Sequence, residues 1–283
     1  MNLLKSWVAI GVAIAAAACL GAVGVGAQDG TKPEVRIGTE GAYKPWASME
    51  ASGELVGFDI DLAKAVCEEM HRSCRFGTQP WEGLIPALEQ GKYDILIGGI
   101  SITPQRAKRL LFTQSYGNLP INVAARKSAG LNGAKSWPEL KAALKGKAVG
   151  VQSGTQSQKF VDAELGGDVT VRLYDNQDSL NLDLLAGRVD AAVAGRSPWV
   201  DLVRSSSGKD VEVLSPDLTF KDFPYLGVGV GGLLRKNEQP LQGDWDKALC
   251  TLKRKGIVSQ ISEKWLGFDI ATAPDPDRCK EAG

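Results

Sequence analysis

The sequence predicts an α/β protein with mostly parallel sheets, folded as two lobes, with the chain crossing between them twice. Strand-like and helix-like segments alternate from residue 35 onward, and the strand–helix pattern restarts after NVAARKSAG. A glycine-rich apolar stretch, YLGVGVGGLLRK, comes late enough to return the chain to the first lobe. Such a layout leaves a cleft between the lobes and a hinge of connecting strands, near residues 122–126 and 226–231.

In chain order, VRIGTE reads as a buried strand running into the loop GAYKPWAS. LVGFDIDLAKAVCEEM is a strand end and then a helix, with Leu62, Val66 and Met70 at helical spacing. WEGLIPALEQG is a short helix stopped by Gly91. YDILIGGIS is an apolar strand leading into SITPQRAKRL, where Ser101 or Thr103 caps a helix and Pro104 occupies its first turn. NLPINVAAR is a further strand, and SWPELKAALKGK a helix with a Ser136–Glu139 capping box. KAVGVQSGTQSQKFVDAEL is strand, Gly/Ser/Thr turn and helix, and VTVRLYD, SLNLDLLAGR, VDAAVAG and SPWVDLVRSS continue the alternation. The late glycine-rich stretch reads as one long strand, followed by two helical segments, LQGDWDKALCTLKRKG and IVSQISEKWLGF. The lobes expected are 28–124 with 228–283, and 125–227.

The first 27 residues read as a secretory signal peptide: Lys5 is followed by an apolar run to about Val25 and small residues before a cut after Ala27. An uncleaved anchor, or lipidation of Cys19, are the alternatives. The mature chain, about 255 residues, is then exported to the periplasm. Lysine plus arginine equal aspartate plus glutamate at 33 each, so no basic excess attracts nucleic acid or anionic lipid. Cys67, Cys74, Cys250 and Cys279 form an even set beyond the signal. Three pairings are possible, and proximity favours Cys67–Cys74 and Cys250–Cys279. Zinc is unsupported, because His71 is the single histidine and no CxxC spacing occurs.

GTEGAYKPWAS, GELVGFDIDLAKAVC, SITPQRAKRLLFT, VGVQSGT and NLDLLAGRVDAAVA, in this order, resemble the solute-binding proteins of polar amino acid ABC importers. Those resembled most are the binders of lysine/arginine/ornithine, histidine, octopine and nopaline. The resemblance implies a periplasmic-binding-protein type II fold, a small-molecule ligand (an amino acid or derivative), a membrane permease as partner, no cofactor and a monomeric protein. It makes Asp59 and Asp61 structural, and the strand-to-helix position of FDID suits helix capping.

The resemblance also assigns a ligand site. Arg106, in the first turn after SITPQ, matches the arginine that clamps the ligand's α-carboxylate, with Ser101 beside it. Ser153, Gly154, Thr155 and Gln156 open a helix whose amides meet the same carboxylate. Tyr43 and Trp81 match ligand-stacking aromatics, and Trp46 reads as packing or cleft rim. Glu40 stands where basic-amino-acid binders carry an aspartate for the distal cation. Gly98 and Gly99 replace serines of some relatives. Gly195 replaces the aspartate that takes the α-ammonium, so either another group such as Asn181 takes over or the ligand nitrogen is substituted, as in opines. The rival readings are an exported enzyme on the same fold, a dehydratase of cyclohexadienyl acids with Glu40 as acid or base, and a ligand sensor for a membrane receptor.

Overall fold

The computed structural model describes residues 33–280; the signal-peptide reading and Cys19 lie outside them. The first part contains β1 (Val35–Thr39), β2 (Ala42–Tyr43), β3 (Ala47–Met49), β4 (Leu55–Val56) and α1 (Phe58–Glu69). Next come β5 (Cys74–Thr78), α2 (Trp81–Glu89), β6 (Ile95–Leu96), α3 (Pro104–Arg109) and β7 (Leu111–Phe112). The second part contains β8 (Ile121–Arg126), α4 (Trp137–Leu144), β9 (Ala148–Gln152), α5 (Gln156–Glu164) and β10 (Thr170–Tyr174). It continues through α6 (Gln177–Leu185), β11 (Ala191–Gly195), α7 (Arg196–Arg204) and β12 (Val211–Val213). The chain then returns through β13 (Leu233–Leu234), α8 (Gln239–Arg254) and α9 (Ile257–Leu266).

Two five-stranded sheets result, in the orders β5-β1-β6-β13-β7 and β10-β9-β11-β8-β12, with β2-β3-β4 as a small separate sheet. The expectation of mostly parallel sheets needs correcting. In each large sheet two neighbouring pairings are parallel and two antiparallel. The strand by which the chain enters or re-enters each sheet, β8 or β13, runs against its neighbours.

Each sheet is apolar on both faces, which is why its central strands read as unbroken hydrophobic runs. In the first sheet, Ile37, Phe58, Ile60 and Trp245 pack on one side and Leu84, Leu96 and Leu233 on the other. In the second, Val149, Val151 and Phe160 fill one side and Leu180, Ala192 and Trp199 the other. Each Val, Ile, Leu or Phe among them contributes about 1.5–3 kcal/mol on burial.

The long return strand is not formed. Only Leu233–Leu234 joins a ladder, because Gly227 (φ 97°) and Gly229 (φ 122°) bend the backbone out of extended geometry. The crossings are irregular segments joined by isolated bridges, Gly117 to Val230 and Ile121 to Leu218. β8 lies wholly in the second sheet and spans the 124/125 boundary drawn from the sequence, so the first crossing runs through residues 113–120.

The cysteines are joined as Cys67–Cys74, from α1 to β5, and Cys250–Cys279, from α8 to the tail. The tail is held further by Lys253, whose Nζ donates to Gln114 Oε1 (2.8 Å), Ser115 O (2.6 Å) and Thr272 Oγ1 (3.2 Å). Replacing both Cys250 and Cys279 by serine is expected to cost about 3 kcal/mol and lower Tm by about 6–12 °C. Calorimetric melting checks this, and an unchanged Tm would contradict it.

Candidate functional site

A cleft lies between the C-terminal ends of the two sheets' strands. From the first part of the chain it takes Glu40, Tyr43, Trp46, Trp81, Gly98, Gly99, Ser101 and Arg106; from the second, Gln152, Thr155, Gln156, Ser157, Gly195 and Ser197. Leu119, Pro120, Ile121 and Val230 close its hinge side. Of the residues the resemblance assigns to the ligand, Ser153, Gly154 and Asn181 do not line it and the others do. Ser153 instead donates to Glu82 Oε1 (2.6 Å) across the rim. Asn181 stands a turn into α6 and accepts from Gln177 Nε2 (2.9 Å).

Asp59 and Asp61 answer to this geometry, but not as helix caps. The residue before α1 is Gly57, and no side chain caps the helix. Asp59, 1% exposed, accepts the Gly99 amide on Oδ2 at 2.7 Å and so holds the Gly98–Gly99 turn against the cleft. Burial raises its carboxyl to about 7, against the opposing pull of Tyr116 and the Gly99 and Gly98 amides. Gly99 (φ 61°) has no room for a side chain, since a Cβ would stand 2.9 Å from the Trp46 indole. Asp61 points away, to Lys264 Nζ and Trp265 Nε1, both at 2.7 Å.

Arg106 is placed by local chemistry. Thr103 accepts the Arg106 amide (3.3 Å) and Pro104 starts α3, so the side chain leaves the first turn toward the cleft. Its Nη1 donates to Ser101 O (3.1 Å), and its guanidinium lies 5.6 Å from the Trp81 ring centroid. Burial lowers it to about 10, so it stays charged at neutral pH. Among the described residues no carboxylate pairs with it. Trp81 therefore supports Arg106 and also faces Gly154 across the rim, where a Cβ would be 3.3 Å from Trp81 Nε1.

The opposite wall is built by α5. Thr155 caps it, accepting the Gln158 amide (3.1 Å) and donating to Gln152 O (2.8 Å). Gln156 Nε2 donates to Tyr225 O (2.7 Å), leaving Oε1 buried and unpartnered. At the far end Glu40 Oε1 accepts from Gln152 Nε2 (2.7 Å), a bond from one sheet to the other. Burial raises Glu40 to about 7. Tyr43, whose phenol burial pushes up, has its Oη 3.4 Å from where a Cβ on Gly195 would stand.

Gln152, Ser157 and Ser197 were not anticipated as site residues. Gln152 carried a signal, a polar residue closing the apolar strand AVGVQ; Ser197 carried none. His71 is exposed in the turn after α1, away from the cleft. Among the described residues no cluster of three metal-ligating side chains occurs.

The chain is 38% identical over 238 residues to the L-arginine-binding protein of Pseudomonas aeruginosa, covering 83% of this chain and 89% of that protein. It is 29% identical to the octopine-binding periplasmic protein of Rhizobium meliloti, covering 83% and 91%. Among solved structures, it matches a Salmonella typhimurium periplasmic binding protein of high arginine specificity with a TM-score of 0.73, at 30% identity, over 83% of this chain and all of that one. Residues 35–268 match the model of a single family. The chain belongs to the bacterial extracellular solute-binding proteins, family 3.

Proposed function

We propose that this protein captures a cationic amino acid, or a derivative of one, in the periplasm and delivers it, as a monomer, to the membrane permease of an ABC importer. The carrying observation is Arg106: a buried, charged guanidinium on the cleft wall with no carboxylate partner among the described residues. A ligand carboxylate supplies that partner as a bidentate pair, with the opening turn of α5 at Thr155–Gln156 facing it. Glu40, at the cleft's other end, suits a distal cation. A ligand touching both walls favours the closed arrangement only through interactions that the open one lacks, chiefly those with α5. A thermal-shift panel of arginine, ornithine, lysine, histidine and glutamate tests this. Basic amino acids raise Tm by linkage and glutamate does not; no shift with any basic amino acid would overturn the reading.

Glu40 also makes binding pH-dependent. In the free protein its carboxyl, near 7, is largely protonated at pH 5.5, while a cationic ligand end beside it favours the carboxylate. Affinity for arginine is expected to fall about tenfold from pH 7.5 to 5.5, with proton release on binding near pH 6. For the free fold the sign is opposite. Its Glu40 value lies above the ordinary 4.5, so the stability this group contributes is complete below 4.5 and is lost as pH rises through 7. Asp59 adds to the free fold with the same sign, so titration of Glu40→Gln by calorimetry isolates the ligand effect. A wild-type profile as flat as the variant's would contradict it.

A carboxyl near 7 also suits a general acid or base, which keeps one enzymatic reading in view. Conversion of a cyclohexadienyl acid to an aromatic product, followed by ultraviolet absorbance, would favour it; the capture reading expects none.

A further inference from the structure

The segment after α9 is built into the hinge. Residues 269–280 lie past residue 268, where the family match ends, and form neither helix nor strand. A segment of that kind is ordered only where it is tied down, and this one is tied at both ends. At its start Ser262, 0% exposed, donates to Phe268 O (2.7 Å) and accepts the Ile270 amide (3.0 Å), which turns the chain back from α9. At its end stand the Cys250–Cys279 disulfide and Arg278, which donates to Phe112 O (2.7 Å) and Asp246 Oδ2 (2.8 Å).

Between those ties the segment runs along the first crossing. Gln114 Oε1 accepts the Asp275 amide (3.3 Å), Ser115 O accepts the Thr272 hydroxyl (2.6 Å), and Ile270 O accepts the Asn118 amide (3.2 Å). Lys253 Nζ knots the two together, reaching Gln114 and Ser115 on the crossing and Thr272 and Ala273 on the tail. Ile270 packs so closely that a Cβ on Gly117 would stand 2.6 Å from its Cδ1. The other edge of the crossing is bonded to the returning chain: the Tyr116 amide donates to Val230 O (3.0 Å), and the Val230 amide to Gly117 O (2.9 Å). The crossing is thus gripped on both edges as far as Asn118. Ile121, whose amide donates to Leu218 O (2.9 Å), already belongs to β8. Leu119 and Pro120 lie between these anchors, and both line the cleft.

Resting on the capture reading above, we propose that residues 269–279 are a positioning strap for closure of the cleft. They hold the first crossing from Gln114 to Asn118 and confine its bending to Leu119 and Pro120. Ligand binding then orders two residues of this crossing rather than seven, so less of the binding free energy goes into ordering the chain.

Calorimetric titration with arginine and agmatine, well below Tm, tests the strap in the wild type and three variants. Cys250→Ser/Cys279→Ser frees the end of the strap and is expected to weaken arginine binding about five- to tenfold. The arginine-to-agmatine ratio should stay that of the wild type, because no residue on the ligand has changed. Thr272→Val keeps the disulfide and loses the bond to Ser115 O, and is expected to weaken binding about twofold. Cys67→Ser/Cys74→Ser is the control: that disulfide joins α1 to β5, away from both crossings, so its loss should lower Tm and leave affinity unchanged. Hydrogen exchange reads the strap without ligand. The Asn118 amide is expected to exchange at least about tenfold faster in Cys250→Ser/Cys279→Ser than in the wild type or the control. Unchanged exchange at Asn118, unchanged arginine affinity in both strap variants, an equal loss in the control, or an altered arginine-to-agmatine ratio each overturns the strap. No arginine binding by the wild type overturns the capture reading instead, and the exchange rates then decide the strap alone.

Discussion

Replacing Arg106 by alanine is expected to weaken binding of any carboxylate-bearing ligand by at least about 30-fold, because truncating one member of a buried charge pair costs about 2–5 kcal/mol. Lysine at 106 keeps the charge but loses the planar fork, so it should recover only part of the affinity. The ligand-free fold behaves differently. In it the guanidinium is buried with Ser101 O as its hydrogen-bond acceptor and Trp81 beneath it, and among the described residues no carboxylate neutralises it. Removing such a charge relieves desolvation, so the melting temperature of ligand-free Arg106→Ala should equal or exceed that of the wild type. Calorimetric titration and ligand-free melting together check both halves. Retained affinity would remove Arg106 from the site; lost affinity with a collapsed Tm would make it structural.

Gly57→Ala is expected to be the most damaging single-methyl addition near the cleft. Gly57 has φ 137°, and a Cβ there would stand 2.3 Å from Trp46 O and 2.8 Å from Pro45 O. Those carbonyls accept the Asp59 and Phe58 amides, each at 2.9 Å, which seats the start of α1. Relief must move the 45–46 backbone, and with it the Trp46 indole, which packs edge-on against Phe58 with centroids 5.3 Å apart and lines the cleft. Backbone strain of about 1–3 kcal/mol and two weakened hydrogen bonds of about 1 kcal/mol each give a loss of about 3 kcal/mol or more. Tm should fall by about 6–12 °C. Gly53→Ala is the control: it also has positive φ (84°) but nothing within 4 Å of its Cβ, so only strain of about 1 kcal/mol remains. Equal effects of the two variants would contradict the clash.

What was legible in the sequence follows from how local each signal is. Thr103-Pro104 before Arg106 is a contiguous capping pattern, and the strand–turn–helix at Thr155 is likewise spelled out over a few residues. The α/β alternation is local too, which is why the elements and the two-lobed fold were readable. Strand direction is not encoded in periodicity, so the antiparallel runs of β8 and β13 were missed. Hydropathy cannot register positive φ, so the apolar stretch around Gly227 and Gly229 read as one strand. Asp59 read as a helix cap because its partner, the Gly99 amide, lies 40 residues away. The Glu40–Gln152 bond spans 112 residues and joins the two sheets. Asn181 stands outside the cleft lining, because an amide's chemistry does not say which turn of a helix faces a cleft.

The most direct test of carboxylate capture is a calorimetric comparison of arginine with agmatine, which keeps the guanidinium and chain but has no carboxylate. Arginine is expected to bind one-to-one, and agmatine at least about 30-fold more weakly, because only arginine can pair with Arg106. Agmatine binding within about threefold of arginine would show that the carboxylate is not what the cleft holds, and would contradict the account at its centre.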